Sequence, residues 1–209
     1  MTSILPETLP LFPLPGVALF PELPLPLHIF EPRYQAMLKD ALAGDRVIGI
    51  VQVRPGEVGQ PPPIFSIGCA GHIEGVAELE GGRSNIVLRG VSRFRVEEEI
   101  PEGRMYRVAR VTSLIEKVLD EDALTHSLAR ILHEIGQIDE GMSLLARTDE
   151  APKALVVNML AQLLPLGELE RQSLIEAPTL DDRARLLAEI LDFARLARSA
   201  PSSDSDIKH

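Results

Sequence analysis

The sequence is poor in cysteine, aromatic residues and positive charge, and each shortage excludes a class of protein. Cys69 is the only cysteine among 209 residues, so we expect neither a disulfide framework nor a cysteine-based metal site. There is no tryptophan, and Tyr34 and Tyr106 are the only tyrosines, so no basic stripe with interleaved aromatics is present to stack on RNA bases. The net charge of −10 argues against nucleic acid or an anionic membrane as a partner.

Long apolar runs are also missing. No window reaches the length that a membrane-spanning helix needs. The first ten residues lack both the basic start and the apolar run of a signal peptide. We therefore expect a soluble, cytoplasmic protein without a membrane partner.

Residue patterns for catalysis or metal binding are not found either. The five histidines include no pair with the spacing of a zinc protease motif, and no nucleophile–base pair is identifiable. The sequence therefore predicts no catalytic residue, no metal ligand and no cofactor.

What the sequence does contain is an apolar, proline-rich stretch at residues 9–34. Because proline removes backbone donors, this stretch cannot form a long central strand or helix. We predict short extended pieces at residues 9–14, 17–20 and 25–30, separated by turns. Its side chains must be buried, and we expect Phe12, Phe20 and Phe30 to lie mainly inside.

A helix is predicted directly after this stretch. Pro32 suits the first helical position, Gly44 suits the end, and apolar residues recur at helical spacing between them. The period then changes to that of strands, which we predict at residues 46–54, 64–79, 84–96 and 105–115, with a loop at 55–63. Glycines within these strands, including Gly68, Gly71 and Gly90, indicate a strongly curved sheet or a small barrel.

Strand patterns end near residue 116. Four helices are predicted beyond it, near residues 124–135, 154–164, 167–175 and 179–198. The interpretation is an α+β protein in which a β-rich part with one inserted helix (residues 1–117) precedes a helical part (residues 118–198). A polar tail at residues 199–209 is expected to be disordered.

Five segments in this order resemble the N-terminal domain of Lon-type ATP-dependent proteases. They read LPLFPLPGVALFPELPLPLHIFEPRY, VIGIVQVR, IGCAGHIEGVAEL, IVLRGVSRFRV and YRVARVTSL, and the likeness covers about residues 7–198. The form IFEPRYQAML most resembles stand-alone proteins made of this domain. The resemblance implies a curved β-rich part of the PUA-like barrel type, a C-terminal helical bundle, and recognition of protein substrates or partners.

The catalytic parts of Lon proteases have no counterpart in this sequence. None of the four lysines follows a glycine, so the phosphate-binding loop of an ATPase motor is missing. Neither Lys117 nor Lys153 has an identifiable serine partner for a Ser–Lys proteolytic dyad. We therefore expect a non-enzymatic protein.

Charged residues flank the two segments that carry most of the resemblance: Glu31, Arg33, Arg89, Arg93 and Arg95. A regular strand places its three arginines on one side, unless the kink at Gly90 shifts the register. One interpretation is a charged rim around a peptide groove. The favoured one is structural, with Glu31 pairing with an arginine to tie the start of the helix to the sheet.

The leading functional hypothesis is a protein-interaction module that binds unfolded polypeptide segments or a protein partner. Binding would occur in a groove or at a sheet edge by strand addition. The first alternative is a PUA-like module that binds a ligand or RNA. The second is an unrecognised hydrolase, which would need a concave pocket with convergent polar groups.

Overall fold

A mixed six-stranded sheet and five α-helices make up the part of the chain that the computed structural model describes, residues 5–101, 103–138 and 151–199. The strands are β1 (Thr8–Leu14), β2 (Pro24–Ile29), β3 (Val47–Gln52), β4 (Ile67–Glu78), β5 (Ser84–Glu99) and β6 (Arg107–Leu114). The helices are α1 (Pro32–Ala43), α2 (Glu121–Ile138), α3 (Lys153–Leu163), α4 (Glu168–Glu176) and α5 (Leu180–Ser199). The predicted α+β class, with one helix inserted among the strands, is confirmed.

The strands pair in a closed circuit. The order along the sheet is β2-β5-β4-β3-β1-β6, and β6 also pairs with β5. Strands β1 and β3 run parallel, and the other pairs are antiparallel. Each of the five circuit strands contributes to one apolar cluster that includes Leu11, Val51, Ala70, Phe94 and Ala109. Strand β2 stands outside the circuit and pairs with the first half of β5.

A bulge in β5 changes which way its side chains face. Ala70 pairs with Ser92, but Gly71 pairs with Gly90, so Val91 is an extra residue in β5. Because side chains alternate along a strand, one extra residue exchanges the two faces. Leu88 accordingly packs in the cluster that reaches the helices, whereas Phe94 packs within the circuit.

A second and larger cluster joins the sheet to the helices. It is continuous from Met37 of α1 and Leu88 of β5 to Leu160 of α3 and Leu187 of α5. The division near residue 117 into two parts stays a prediction. The predicted tail lies outside the described residues, apart from Ser199, which ends α5.

The proline-rich stretch departs from prediction at two places. Residues 17–20 form no strand, because the Phe20 backbone N–H donates to Gln162 Oε1 (3.1 Å) and its carbonyl accepts from Leu23. Phe12 and Phe20 are buried as expected, but the side chain of Phe30 is 59% exposed. Strand alternation explains this, since Ile29 occupies the inward-facing position before it.

We predict that Gly90→Ala will lower the free energy of unfolding by about 3 kcal/mol, at the upper end of the usual cost of overpacking. A Cβ atom at Gly90 would overlap the backbone carbonyl of Phe20, which cannot move like a flexible side-chain end. Gly75→Ala is the matched control, because a Cβ there meets no atom within 4 Å. Urea unfolding followed by circular dichroism measures both. Equal stability of the two variants would contradict the close approach of Gly90 to the Phe20 carbonyl.

Candidate functional site

Two buried arginines, Arg93 of β5 and Arg183 of α5, meet at the junction of the sheet and the C-terminal helices. Their side chains are 2% and 0% exposed. Arg93 reaches this position because the β5 bulge turns it toward the helices. Its NH1 donates to the carbonyl oxygens of Ile175 (2.9 Å) and Ala177 (2.6 Å), and NH2 donates to that of Pro178 (3.2 Å). Arg93 therefore satisfies the backbone acceptors where α4 ends.

Glu116, which follows β6, lies between the two arginines. Arg183 donates to both of its carboxylate oxygens, from NH1 at 3.1 Å and from NH2 at 2.7 Å. Nε of Arg93 lies 3.1 Å from Oε1 of Glu116, close enough for an ion pair, but its N–H is not directed for a hydrogen bond. Arg183 also donates to Asn158 Oδ1 of α3 and to the Leu174 carbonyl of α4 (2.9 Å). We call Arg93, Glu116, Asn158 and Arg183 the junction cluster.

The charges of the junction cluster depend on one another. Burial raises the pKa of Glu116, but the charge and hydrogen bonds of Arg183 and the charge of Arg93 outweigh it and hold that pKa below its usual range. Burial and the positive charge of Arg183 lower the pKa of Arg93, against the opposing effect of Glu116. The cluster therefore has two cations and one carboxylate, and it supports the structural interpretation of Arg93.

Arg89, on the other side of the bulge, belongs to an exposed pair. Its Nε donates to Glu74 Oε1 at 2.5 Å, and its NH1 donates to the Glu22 carbonyl at 2.8 Å. Both side chains of the ion pair are more than 40% exposed. Arg89 and Arg93 therefore do not share a face of β5, as regular alternation would require.

Glu31 and Arg33 lie together at the start of α1. Arg33 Nε donates to Glu31 Oε2 at 2.8 Å, so Glu31 pairs within its own segment. The expected tie from Glu31 to a strand arginine is not what the structure shows. The junction cluster connects the sheet to the helices instead.

An apolar groove of about 560 Å³ opens beside Glu31 and Arg33. Five separate segments line it: the end of β1, the end of β2 with the start of α1, Val53 after β3, the loop at residues 61–62, and residues 104–107 where β6 begins. Its aromatic and apolar lining includes Phe12, Leu14, Leu27, His28, Phe30, Tyr34, Met105 and Tyr106. Four prolines lie between them: Pro13, Pro15, Pro61 and Pro62.

Aromatic contacts order the groove. The ring centroids of Phe12 and Tyr34 lie 4.2 Å apart, and the Arg33 guanidinium covers the Tyr34 ring at 4.5 Å. Burial raises the pKa of Tyr34, although the charge of Arg33 opposes this. Phe30 stacks on His28 at 5.8 Å, and Phe30 and Met105 remain 59% and 65% exposed. Exposed apolar side chains beside a formed groove are typical of a binding surface.

Hydrogen bonds of Arg104 and Arg107 fix the polar wall of the groove. Arg107 Nε donates to Glu99 (2.7 Å) and its NH1 donates to the Pro62 carbonyl (2.6 Å), which holds the loop against β6. Tyr106 donates its hydroxyl proton to Asp40 (2.6 Å) and accepts from Arg104 (2.7 Å). The polar wall is therefore held in place before any ligand arrives.

The open edge of β2 lies near the groove but offers few donors. Gly90 N–H donates to the Leu23 carbonyl, so the backbone N–H and C=O groups of odd-numbered residues in this segment point toward β5. Pro24 and Pro26 consequently face the open side, where the Pro24 carbonyl accepts from Gln162 of α3 (2.9 Å). Neither proline has an N–H to give to an added strand.

Sequence reasoning identified Glu31 and Arg33 but missed most of the groove. We predicted a strand from residue 105, but β6 begins at Arg107, which leaves Met105 and Tyr106 in the groove wall. The predicted loop at residues 55–63 supplies Pro61 and Pro62 to the same wall. A signal was available in Phe30, because a side chain that follows the inward-facing Ile29 belongs outside.

Cys69 is a free cysteine buried in the sheet. Burial raises the pKa of this free thiol to about 12, so it stays protonated. No group of three or more His, Cys, Asp and Glu side chains in residues 5–101, 103–138 and 151–199 is placed to hold a metal ion. None of the helices in these ranges has the length and apolar character of a membrane span.

The sequence matches a known domain over most of its length. The family model of the ATP-dependent protease La (LON) substrate-binding domain covers residues 8–192. The chain belongs to this family. The resemblance to the Lon N-terminal domain is thereby confirmed.

Curated relatives and solved structures agree with this assignment. Lon protease 2 of Myxococcus xanthus is 27% identical over 216 residues, which covers 98% of this chain but 26% of that protein. The chain thus spans about a quarter of the length of such relatives. The Lon N-terminal domain protein from Xanthomonas campestris is 28% identical with a TM-score of 0.64, and covers 89% of this chain and 98% of its own. The N-terminal domain of Mycobacterium avium complex Lon protease shares the fold, with 15% identity, a TM-score of 0.71 and the same coverage.

The first prediction for the junction cluster concerns Arg93. Arg93→Leu should lower the free energy of unfolding by about 3–5 kcal/mol, because the carbonyls where α4 ends lose their donor and Glu116 loses one of its two cationic partners. Arg89→Leu on the same strand removes an exposed pair and should change stability little. Chemical unfolding of both variants measures the difference. Unchanged stability of Arg93→Leu together with lost partner binding would overturn the structural interpretation.

The second prediction concerns acid. The pKa of the Glu116 carboxyl is lower in the folded state than in the unfolded chain. Its stabilisation of the fold is therefore fully present when the pH is above the ordinary carboxylate pKa of about 4.3, and it is lost as the pH falls through the lowered value. Glu116→Gln should be less stable than the parent by about 3 kcal/mol at about pH 7, since two buried cations lose their counter-charge. The difference in stability between Glu116→Gln and the parent should narrow below about pH 4.

Urea unfolding across this pH range tests the prediction. Glu74→Gln, in the exposed pair with Arg89, is the control and should track the parent at every pH. A Glu116→Gln variant whose deficit stays constant on acidification would show that the carboxylate charge is not what stabilises the junction.

Proposed function

We propose that this protein is a non-enzymatic module that binds unfolded polypeptide segments in the apolar groove beside Glu31 and Arg33. The observation that carries the proposal is an open, apolar groove with exposed Phe30 and Met105 in a member of a substrate-binding domain family. The curated relatives include a further three quarters of chain that this sequence does not cover. Their proteolytic activity is therefore not transferred to it.

The lining suits an extended apolar segment. Aromatic rings and prolines offer rigid, amphipathic contact area whose ordering costs little conformational entropy. The Phe12–Tyr34 contact and the Arg107 hydrogen bonds preorganise two parts of the groove wall. A bound segment would therefore gain apolar burial without a large rearrangement of the groove.

Side-chain binding in the groove is favoured over strand addition. An added strand needs alternating backbone donors and acceptors. Strand β2 has Pro24 and Pro26 on its open side, and α3 already occupies the Pro24 carbonyl through Gln162. The edge-binding form of the hypothesis thus has less support than the groove form.

Two details of the fold belong to the same proposal. The closed circuit of five strands is consistent with a PUA-like barrel, because all five strands contribute to an enclosed cluster. The four C-terminal helices within the described residues share a continuous core with each other and with the sheet, as a packed bundle would. The domain boundary near residue 117 is proposed with them.

The test is binding of fluorescein-labelled, reduced and carboxymethylated lactalbumin, followed by fluorescence anisotropy. Phe30→Ser should weaken binding by about ten-fold, the size expected when an aromatic anchor is truncated. Phe193→Ser removes an exposed aromatic residue of α5 that does not line the groove, and should bind like the parent.

Two outcomes would count against the proposal. If the folded, monodisperse protein ignores the unfolded chain, the interaction hypothesis loses its support. If Phe193→Ser weakens binding as much as Phe30→Ser, the groove is not the site. An RNA oligonucleotide in the same assay serves as the comparison ligand, and salt-sensitive binding to it would favour the nucleic-acid alternative.

A further inference from the structure

The charges around the groove are arranged asymmetrically. Three arginines line it, Arg33, Arg104 and Arg107, and Glu31 is the only carboxylate among its described lining residues. The chain as a whole carries a net charge of −10. The groove wall is therefore locally basic on an acidic protein.

Two of these arginines pair with carboxylates that lie outside the lining. Arg107 is paired with Glu99, and Arg104 lies 3.7 Å from Asp40 Oδ2, while neither carboxylate lines the groove. In both pairs the guanidinium is on the groove side and the carboxylate is farther from it. Such oriented pairs present positive potential to a ligand in the groove although each pair is neutral overall.

The third arginine, Arg33, is paired with a carboxylate that lies inside the groove, that of Glu31. Arg33 and Glu31 are 47% and 38% exposed, and both line the cavity. Arg33 therefore adds positive charge to the wall and Glu31 opposes it. His28 also lines the groove, and its Nδ1 is paired with Asn85 Oδ1 at 2.7 Å.

We infer that the groove selects extended apolar segments that carry an acidic side chain over otherwise identical segments with a basic one. This inference rests on the proposed function and specifies the class of polypeptide that the groove takes. The aromatic walls contact the apolar part of the segment, and the arginine-bearing wall attracts its carboxylate. Glu31 limits the selectivity, and Arg33 supports it.

Three fluorescein-labelled peptides test the inference. They share one short apolar sequence and differ only at a central position, which is Glu, Gln or Lys. In fluorescence anisotropy the Glu peptide should bind about three-fold more tightly than the Gln peptide, and the Lys peptide should bind least tightly. Added salt should reduce these differences, because the charges are partly exposed.

Two groove variants should change the selectivity in opposite directions. Glu31→Gln removes the opposing carboxylate and should raise the ratio of Glu-peptide to Lys-peptide affinity. Arg33→Gln should lower that ratio. Glu74→Gln alters an exposed ion pair outside the groove and should leave the ratio as in the parent.

The outcomes separate this inference from the function on which it rests. Equal binding of all three peptides would overturn the charge selection while leaving a peptide groove. A preference for Glu that neither groove variant changes would place the selecting charge elsewhere and would also overturn the inference. Failure of every peptide to bind would instead contradict the proposed function.

Discussion

The placement of one carboxylate between two buried arginines is the constraint on which the rest of the structure depends. Glu116 follows the last strand, Arg93 comes from the middle of β5, and Arg183 comes from the last helix. Removing Glu116 would leave two buried cations without a counter-charge, and removing either arginine would leave backbone carbonyls without their donor. Both losses are far more costly than losing a surface pair. The cluster therefore determines how the C-terminal helices sit on the sheet, and α3, through Gln162, in turn holds the segments around Phe20 and Pro24.

Local pattern was enough to predict much of the fold. The helical spacing after Pro32 identified α1, whose buried residues are Tyr34, Met37, Leu38 and Ala41. The glycine-punctuated strands indicated a curved sheet, and the strand pairings show one whose ends meet. These features depend on neighbours a few residues apart, which periodicity and turn chemistry record directly.

The junction cluster and the groove could not be predicted in the same way. A glycine at position 90 indicates a kink, but nothing local shows that Val91 becomes the extra residue that turns Arg93 toward the helices. Arg93 finds its partners in Glu116 and in the backbone carbonyls where α4 ends, which are far from it along the chain. The groove likewise combines five separate segments. Such sites depend on tertiary placement, and residue type alone indicated only that Glu31, Arg33 and the strand arginines were candidates.

The prolines of β2 have a consequence for the behaviour of the protein in a crowded mixture of partly unfolded chains. A regular strand edge can template the stacking of extended chains into cross-β aggregates. With Pro24 and Pro26 on its outer side, this edge lacks two of the N–H donors that such a ladder needs. If the groove binds unfolded chains as proposed, the adjacent proline-bearing edge would reduce their tendency to aggregate on the protein.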